Sequence, residues 1–478
     1  MDSIETNTLA DAVEHKIFRL RSILQEYETE LGNGKCREFL NGILFLVDAV
    51  EEAQADWLAA FEEAKSRVVR EARAAHVRTN SLVALRVLSN IHEHYLPLLQ
   101  AASNDQDSYL LQPILSRAIS LIGGAGPSSE VALVPTFDFA YGFNGMLRFV
   151  SGDIGKLEYF DQAKKARRLK KCRQMPKVTA FVTFPIIDKD SALKMTAVAH
   201  ELAHFADYIR NISNQVLDLG FTFEEKSFDA LVTERARVEH LSDEEAEAAC
   251  FEGCFNLLTL WLQETIADLI AIRILGPAFA LSFIDFLRDA AISNVSDAEH
   301  PAPAKRLALM FDELEDLGYF SVKHGLQREL GRIRGSIKSE AERTFYDGEF
   351  HVVDRTIEQN NLLLLSIIRT KTANYSYTAS RYLTDVPSAV RDFARGVCPI
   401  ETSPGSEQSR AISAVAVLNA AWEVYTVRLD AFNRIFTEGT SRNSAIKNLN
   451  QLVFKALEGG EILRLWKEAK VDADTTAK

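Results

Sequence analysis

Apolar residues recur three and four positions apart over much of the chain, which is the spacing of one face of an α-helix. The stripe nearest the N-terminus comprises Val13, Ile17, Leu20, Leu24, Tyr27 and Leu31. Gly32-Asn33-Gly34 follows this stripe and suits a helix stop. We predict further helices over about 36–78, after Asn80-Ser81, and from residue 190 almost to the end of the chain.

Two segments interrupt this helical pattern. Residues 131–139 and 178–187 are short and rich in Val, Thr and Phe, which is typical of β-strands. The glycine-rich segment 123–129 precedes the first of them and indicates a domain boundary. We therefore predict a mainly α fold with a small mixed β-sheet. Strand 178–187 either borders a cleft and pairs with an extended substrate, or lies inside the domain.

Charge and cysteine content restrict the class of protein. The chain has 54 basic and 67 acidic residues, and this net charge of −13 argues against nonspecific binding to nucleic acid or anionic membrane. We find no secretory signal and no apolar run near the roughly 20 residues that span a bilayer. Five scattered cysteines do not suggest a disulfide framework. We expect a cytoplasmic protein with free thiols and no membrane span.

A basic run between the two predicted strands contains no acidic residue. It comprises Lys164, Lys165, Arg167, Arg168, Lys170, Lys171, Arg173 and Lys177. Such a run is either a solvated helix or loop face, or a docking patch for an acidic partner.

The pattern His-Glu-x-x-His on a predicted helix carries the clearest chemistry. Residues four apart lie on one helix face, so His200 and His204 can present imidazole nitrogens to a single cation. Glu201 then stands where it can reach a metal-bound water without ligating the metal. In the metzincin form of this motif, a glycine would stand at position 207 and a third ligand histidine at position 210. This chain has Asp207 and Arg210 there, so that route to a third ligand is excluded. The alternative is a solvated helix face, which the apolar flanking residues argue against.

Catalytic zinc needs a third protein ligand and an open fourth position. The segment 257–275 is apolar nearly all round and contains Glu264 and Asp268, four residues apart. A buried carboxylate is costly unless it is paired or binds a metal, and Arg273 is the only cation in this segment. A zinc ion near Glu264 would satisfy both carboxylates if Asp268 accepts the free N–H of a ligand histidine.

A third group of residues follows in the sequence. Pro301 and Pro303 suit the first turn of a helix, which places His300 at its N-terminal edge and Arg306 inside it. The order His-Glu-Leu-Ala-His, Glu-x-x-Ala-Asp, His-Pro-x-x-x-x-Arg resembles the gluzincin metallopeptidases. The resemblance is closest to the CaaX-prenyl-protease and HtpX-like branch, and it covers roughly residues 178–310.

This resemblance implies a domain plan. Residues 1–125 would form an N-terminal helical domain, 126–320 a zincin-like metallopeptidase domain, and 321–478 a C-terminal helical domain. An acidic segment near 211–255 would be an insertion in the middle domain, beginning a helix with a capping box at Ser242.

The resemblance also implies roles for individual residues. The implied ligands of one zinc ion are His200, His204 and Glu264. Asp268 would support a ligand, and His300 and Arg306 would lie near the cleft, in contact with the transition state or supporting the ligand helices. Glu239 and His240 are rival third ligands.

The expected activity is hydrolysis of peptide bonds in a peptide or protein substrate. A zinc-activated water would attack, with Glu201 as general base and then proton donor to the leaving amine. His300 is the first candidate to stabilise the oxyanion, and Tyr208 and Tyr319 are others. A helical interaction or regulatory protein that retains a structural or vestigial zinc site is the alternative, and hydrolysis of a non-peptide amide is a third reading. Glu201 favours a hydrolase, because a structural site needs no general base.

Overall fold

The computed structural model describes residues 2–31, 37–97, 99, 129–136, 142–145, 153–174, 178–185, 188, 190–289, 291, 293–401, 411–435 and 441–476. These residues are mostly helical, as predicted. They belong to two compact units, Met1–Asp107 with Ala125–Phe184, and Ser108–Gly124 with Pro185–Lys478. The division into three domains at 125 and 320 stays a prediction, and the two units divide the chain at a different place.

The first unit contains α1 (Asp2–Leu31), α2 (Arg37–Glu62), α3 (Arg67–Asn90) and α4 (Gln162–Gln174). The predicted helix over 36–78 is wrong, because Ser66 starts a new helix by accepting a hydrogen bond from the backbone N–H of Val69. Asn80 and Ser81, predicted as a break, are buried within α3. Their burial against neighbouring helices outweighs their weak helix propensity.

Three strands also belong largely to this unit: β1 (Ser129–Thr136), β2 (Gly142–Gly145) and β3 (Val178–Pro185). They are ordered β1-β3-β2, and β2 pairs antiparallel with β3, with Phe143 opposite Val182. Strand β2 escaped prediction because it has four residues, two of them glycine. The mixed character of the sheet stays a prediction, and the predicted boundary at 123–128 lies outside the described residues.

The basic run contributes contacts within the first unit. Lys164 Nζ lies 3.0 Å from Asp56 on α2, and Arg168 pairs with Glu52 on the same helix. Two cations of the run therefore attach α4 to α2, while Arg167 is among those exposed to solvent.

The second unit is a helical assembly. Its helices are α5 (Val198–Arg210), α6 (Ile212–Asp218), α7 (Glu225–Glu239), α8 (Asp243–Leu275), α9 (Pro277–Asp289), α10 (Pro303–Asp316), α11 (Gln327–Glu342), α12 (Gly348–Thr372), α13 (Ala379–Phe393), α14 (Ala414–Glu423), α15 (Leu429–Asn433) and α16 (Arg442–Thr476). No helix in the described ranges is long and apolar enough to cross a membrane.

Helix α8 is the centre of this unit and packs against α5, α7, α10 and α12. The predicted capping box is present, with Ser242 and Glu245 each accepting from the other's backbone N–H. Residues from Thr265 to Leu275 are all buried. The helix ends at Gly276, whose φ of +60° favours glycine and where an added Cβ would lie 2.6 Å from the hydroxyl of Tyr319.

Candidate metal centre

Helix α5 presents the His-Glu-x-x-His residues because its other face is buried. Val198, Leu202 and Phe205 are each at most 3% exposed. The helix ends at Asn211, which adopts the left-handed conformation that asparagine tolerates. Packing of this apolar face fixes the rotation of α5 and turns His200 and His204 towards α8.

Helix α8 brings Glu264 to these two histidines. His200 Nε2 lies 3.1 Å from Glu264 Oε2, and His204 Nε2 lies 3.0 Å from Glu264 Oε1. The two Nε2 atoms are 3.0 Å from one another. Among the described residues, these three form the one group of three or more His, Cys, Asp or Glu side chains whose ligand atoms are close enough to hold a metal ion.

The chemistry of this group fits a small divalent cation. Ligands about 2.0 Å from a tetrahedral zinc lie roughly 3.3 Å from one another, close to the separations found here. Glu264 Oε2 is buried and has no hydrogen-bond partner among the described residues, so it keeps a lone pair for a cation. Two imidazoles and one carboxylate are a donor set that zinc accepts, with one coordination position left open.

Asp268 supports this group from one helical turn further along α8. Its Oδ1 is 2.9 Å from His200 Nδ1, which is ion-pair distance without hydrogen-bond alignment. Arg306 on α10 donates to both carboxylate oxygens of Asp268, at 2.7 Å from Nε and 2.9 Å from Nη2. Arg306 Nη2 also lies 3.2 Å from Glu264 Oε2, and its guanidinium stacks over the ring of Phe283.

The single basic residue of α8 has a different partner. Arg273 pairs with Glu313, which is completely buried, and donates from Nε to Ser376 Oγ at 3.0 Å. Arg369 Nη2 lies 2.9 Å from Glu313 Oε2, and Asp316 lies near both arginines, so two cations face two carboxylates. Arg306, from a separate helix, is therefore the arginine paired with Asp268 and Glu264, whereas Arg273 is paired with Glu313 and Asp316.

These charges shift the proton equilibria of the centre. Burial alone would lower the pKa of His200, but the carboxylates of Glu264 and Asp268 raise it to about 10. Burial opposes ionisation of Glu264, yet His200, His204 and Arg306 hold its pKa well below the usual range. The pKa of Asp268 is likewise lowered, against its burial, by Arg306 and His200. A proton on His200 balances the charge of the metal-free group, and a cation binding there must displace it.

Glu201 and His300 lie at the centre in different ways. Glu201 is 8% exposed, and its charge is near enough to contribute to the raised pKa of Arg306. His300 stands on the loop before α10 with its side chain 45% exposed, and its Nε2 lies 3.9 Å from Glu264 Oε2. The predicted residues around the histidine pair are thus near one another in space.

Asp297 is a residue that sequence reasoning missed. It lies 3.1 Å from His300 Nδ1 and accepts hydrogen bonds from the backbone N–H groups of Glu299 and His300. The backbone carbonyl of Asp297 accepts from Trp261 Nε1 on α8 at 3.1 Å. The spacing Asp-x-x-His ahead of two prolines is typical of an Asx turn and could have indicated this pairing.

The structure places the rival residues elsewhere. His240 is the exposed, left-handed residue that ends α7, and Glu239 pairs with Arg235 at 3.1 Å, so neither joins the group. Tyr319 is buried and donates its hydroxyl to the carbonyl of Tyr377 at 2.7 Å, which makes it unsuited to contact a substrate. The side chain of Tyr208 lies outside the described residues.

Searches for similar proteins bring no further assignment. No protein-family model, no curated protein and no solved structure matches this chain.

Proposed function

We propose that this protein is a zinc-dependent metallopeptidase of the gluzincin type. The observation that carries the proposal is the convergence of His200, His204 and Glu264 from two helices, with Glu201 buried beside them. When bound, zinc would polarise the scissile carbonyl and lower the pKa of the attacking water. The proposal includes one zinc ion and a zincin-like domain around α5 and α8.

The chain's own residues supply the rest of the chemistry. Glu201 takes the proton of the attacking water and returns it to the leaving amine. Asp297 lies 3.1 Å from Nδ1 of His300 and orients its ring, and His300 is the group that donates to the oxyanion forming on the substrate carbonyl. Its exposure on the loop before α10 leaves room for a substrate to approach from that side.

Asp268 and Arg306 position the ligands. Asp268 faces Nδ1 of His200, which favours the tautomer whose Nε2 lone pair points into the group. Arg306 compensates the charge of Asp268, and the pair remains balanced when the histidine is neutral. Loss of such an outer support typically weakens metal binding by about 10–100-fold.

The test separates metal binding from cleavage. Purified wild type should retain one zinc ion after dialysis, as measured by atomic emission. It should also cleave members of a random peptide library. Glu201→Gln should keep the zinc and lose cleavage by roughly two to four orders of magnitude. Glu264→Ala should lose both zinc and cleavage. The exposed variant Glu342→Gln on α11 is the matched control and should retain both.

A helical interaction protein with a vestigial site is the second candidate, and one observation favours it. Arg306 lies 3.2 Å from Glu264, so the carboxylate has a charge partner even without a metal. If wild type binds no zinc, or binds it and cleaves nothing in the library, the peptidase proposal is wrong and this reading gains. Zinc retention by Glu264→Ala would refute the ligand assignment alone.

A further inference from the structure

The segment 297–302, which precedes α10 and which we call the His300 loop, is short and stiff. Pro301 and Pro303 fix their own φ at about −65° and favour extended backbone at the residues before them. Ala302 accordingly has a φ of −55° and a ψ of 136°. The backbone N–H of Asp297 donates to the carbonyl of His300 at 3.0 Å. His300 therefore stands in a segment with little conformational freedom of its own.

Two aromatic side chains hold the two ends of the His300 loop. At one end, Trp261 Nε1 on α8 donates to the backbone carbonyl of Asp297 at 3.1 Å. At the other end, the hydroxyl of Tyr346, on the segment between α11 and α12, accepts from the backbone N–H of Ala302 at 3.1 Å. Ala302 is completely buried, so its N–H needs such a partner. We call Trp261 and Tyr346 the aromatic clamp.

The two members of the aromatic clamp also contact each other. The ring centroids of Trp261 and Tyr346 are 5.4 Å apart, a distance at which aromatic rings attract. Trp261 is completely buried, and Phe350 of α12 packs on it with a centroid distance of 5.5 Å. Because the clamp is one packed unit, its two rings fix the distance between the ends of the His300 loop.

Helix α8 relates the aromatic clamp to the candidate metal centre. Trp261 precedes Glu264 by three residues, and residues three apart are neighbours on a helix surface. The rise between them is about 4.5 Å along the helix axis. The same helix thus presents the carboxylate of Glu264 and the indole that anchors the His300 loop. His300 Nε2 lies 3.9 Å from Glu264 Oε2, so the two anchoring contacts and the centre belong to one connected structure.

We propose that Trp261 and Tyr346 are positioning residues, which fix the backbone of the His300 loop so that His300 is in place for the oxyanion before the substrate arrives. This inference rests on the proposed peptidase function, in which His300 donates to that oxyanion. Trp261 acts through Asp297, whose carbonyl it holds and whose carboxylate lies 3.1 Å from Nδ1 of His300. A donor that is already in place needs no reorganisation during the reaction, and a displacement of about 1 Å can cost roughly 100-fold in rate.

Hydrogen exchange tests the aromatic clamp in the full-length protein without reference to cleavage. Trp261→Phe removes the indole N–H and Tyr346→Phe removes the hydroxyl, and each keeps a ring in place. Each variant should speed exchange in peptides covering 296–304 by about two- to tenfold, the range expected for the loss of one hydrogen bond. Zinc affinity should stay within about twofold of wild type, because neither residue is a ligand. Unchanged exchange of the His300 loop in both variants would overturn the inference.

Peptide cleavage then tests whether the aromatic clamp acts through His300. Each clamp variant should lower kcat at least about tenfold and keep KM within about twofold, because the oxyanion contact is made only in the transition state. In a His300→Ala background, Trp261→Phe should change kcat less than about twofold, since a residue that acts only through His300 has no further effect once that side chain is absent. Equal losses in both backgrounds would show a general structural role and would overturn the inference.

Matched controls remove comparable groups elsewhere. Trp422 is 2% exposed and its Nε1 has no hydrogen-bond partner among the described residues, so Trp422→Phe should change neither kcat nor exchange of the His300 loop. Tyr159→Phe, which removes a hydroxyl bond to the carbonyl of Ala49 in the first unit, should likewise change neither. If wild type cleaves peptides and both clamp variants keep its kcat, the inference is overturned and the peptidase stands. If wild type cleaves nothing, the peptidase fails and the positioning role fails with it, whatever the exchange of the loop.

Discussion

Replacing Arg306 by methionine tests the charge balance of the candidate centre most directly. Arg306 is 7% exposed and holds both oxygens of Asp268, which is 2% exposed. Removing it leaves Asp268 and Glu264 buried with only histidines for partners. Breaking a buried ion pair from one side costs about 3–5 kcal/mol. Coulomb's law with an effective dielectric constant near 20 and charges about 4 Å apart gives about 4 kcal/mol, in agreement.

Hydrogen exchange followed by mass spectrometry is the suitable assay, because it reports each segment of a chain with two units. In metal-free protein, peptides covering 262–272 and 200–207 should lose protection by on the order of 10²–10⁴-fold, since 3–5 kcal/mol corresponds to about two to three and a half decades at about 1.4 kcal/mol per tenfold. Peptides of the first unit should exchange as in wild type. Arg306→Lys keeps a charge but loses the two-pronged contact with Asp268. Its protection should therefore lie between that of wild type and that of Arg306→Met.

The control is Arg332→Met, which removes an exposed pair with Glu329 on α11 and should change no protection factor measurably. Less than a tenfold loss of protection at α8 in Arg306→Met would refute the reasoning. It would mean that water or protonation satisfies the two carboxylates without the guanidinium.

Three further predictions concern the unit around the centre. Burial lowers the pKa of His324, whose Nε2 lies 2.8 Å from the carbonyl of Tyr319, so the unfolded chain binds its proton first. Stability should therefore fall as pH drops through about 6.5. The difference between the urea midpoints at pH 7.5 and pH 5.5 should be smaller in His324→Gln than in wild type. An equal difference in the two proteins would contradict this. Asn419 is completely buried and forms hydrogen bonds with three backbone groups, at the α8–α9 junction and on α14. Asn419→Leu should therefore lower the free energy of unfolding in urea by about 2–4 kcal/mol. A decrease under about 1 kcal/mol would be inconsistent with this reasoning. Gly276→Ala should lower the thermal midpoint of the second unit, because its φ is +60° and the Cβ meets the hydroxyl of Tyr319; an unchanged midpoint would show that the turn relaxes.

Local sequence features predicted many elements well. Ser242 and Glu245 start α8 where the capping box indicated, because such a cap depends on four neighbouring residues. The break between α2 and α3 was misplaced by more than ten residues. Asn80 and Ser81 have turn propensity, but helix packing that involves distant residues keeps them helical.

In the candidate centre too, neighbouring residues predicted some features and the packing of helices decided others. The spacing of His200 and His204 predicted a shared face, because four residues make about one turn of helix. Glu264 and Asp268 could be suspected, since carboxylates in an apolar helix need partners. Which cation neutralises them could not be foreseen, because Arg273 was nearer in sequence, and Arg306 reaches them only through the packing of α10 on α8.

The sequence by itself determined the helical character of this protein, the face that carries His200 and His204, and the need for partners at Glu264 and Asp268. Each of these follows from periodicity and from the cost of burying charge, which act within one helix. Tertiary structure decided that the three groups meet within about 3 Å, that Asp297 faces His300, and that phenylalanines of α8 remain in water. Those outcomes depend on distances between residues far apart in the chain, which only the packing of helices sets.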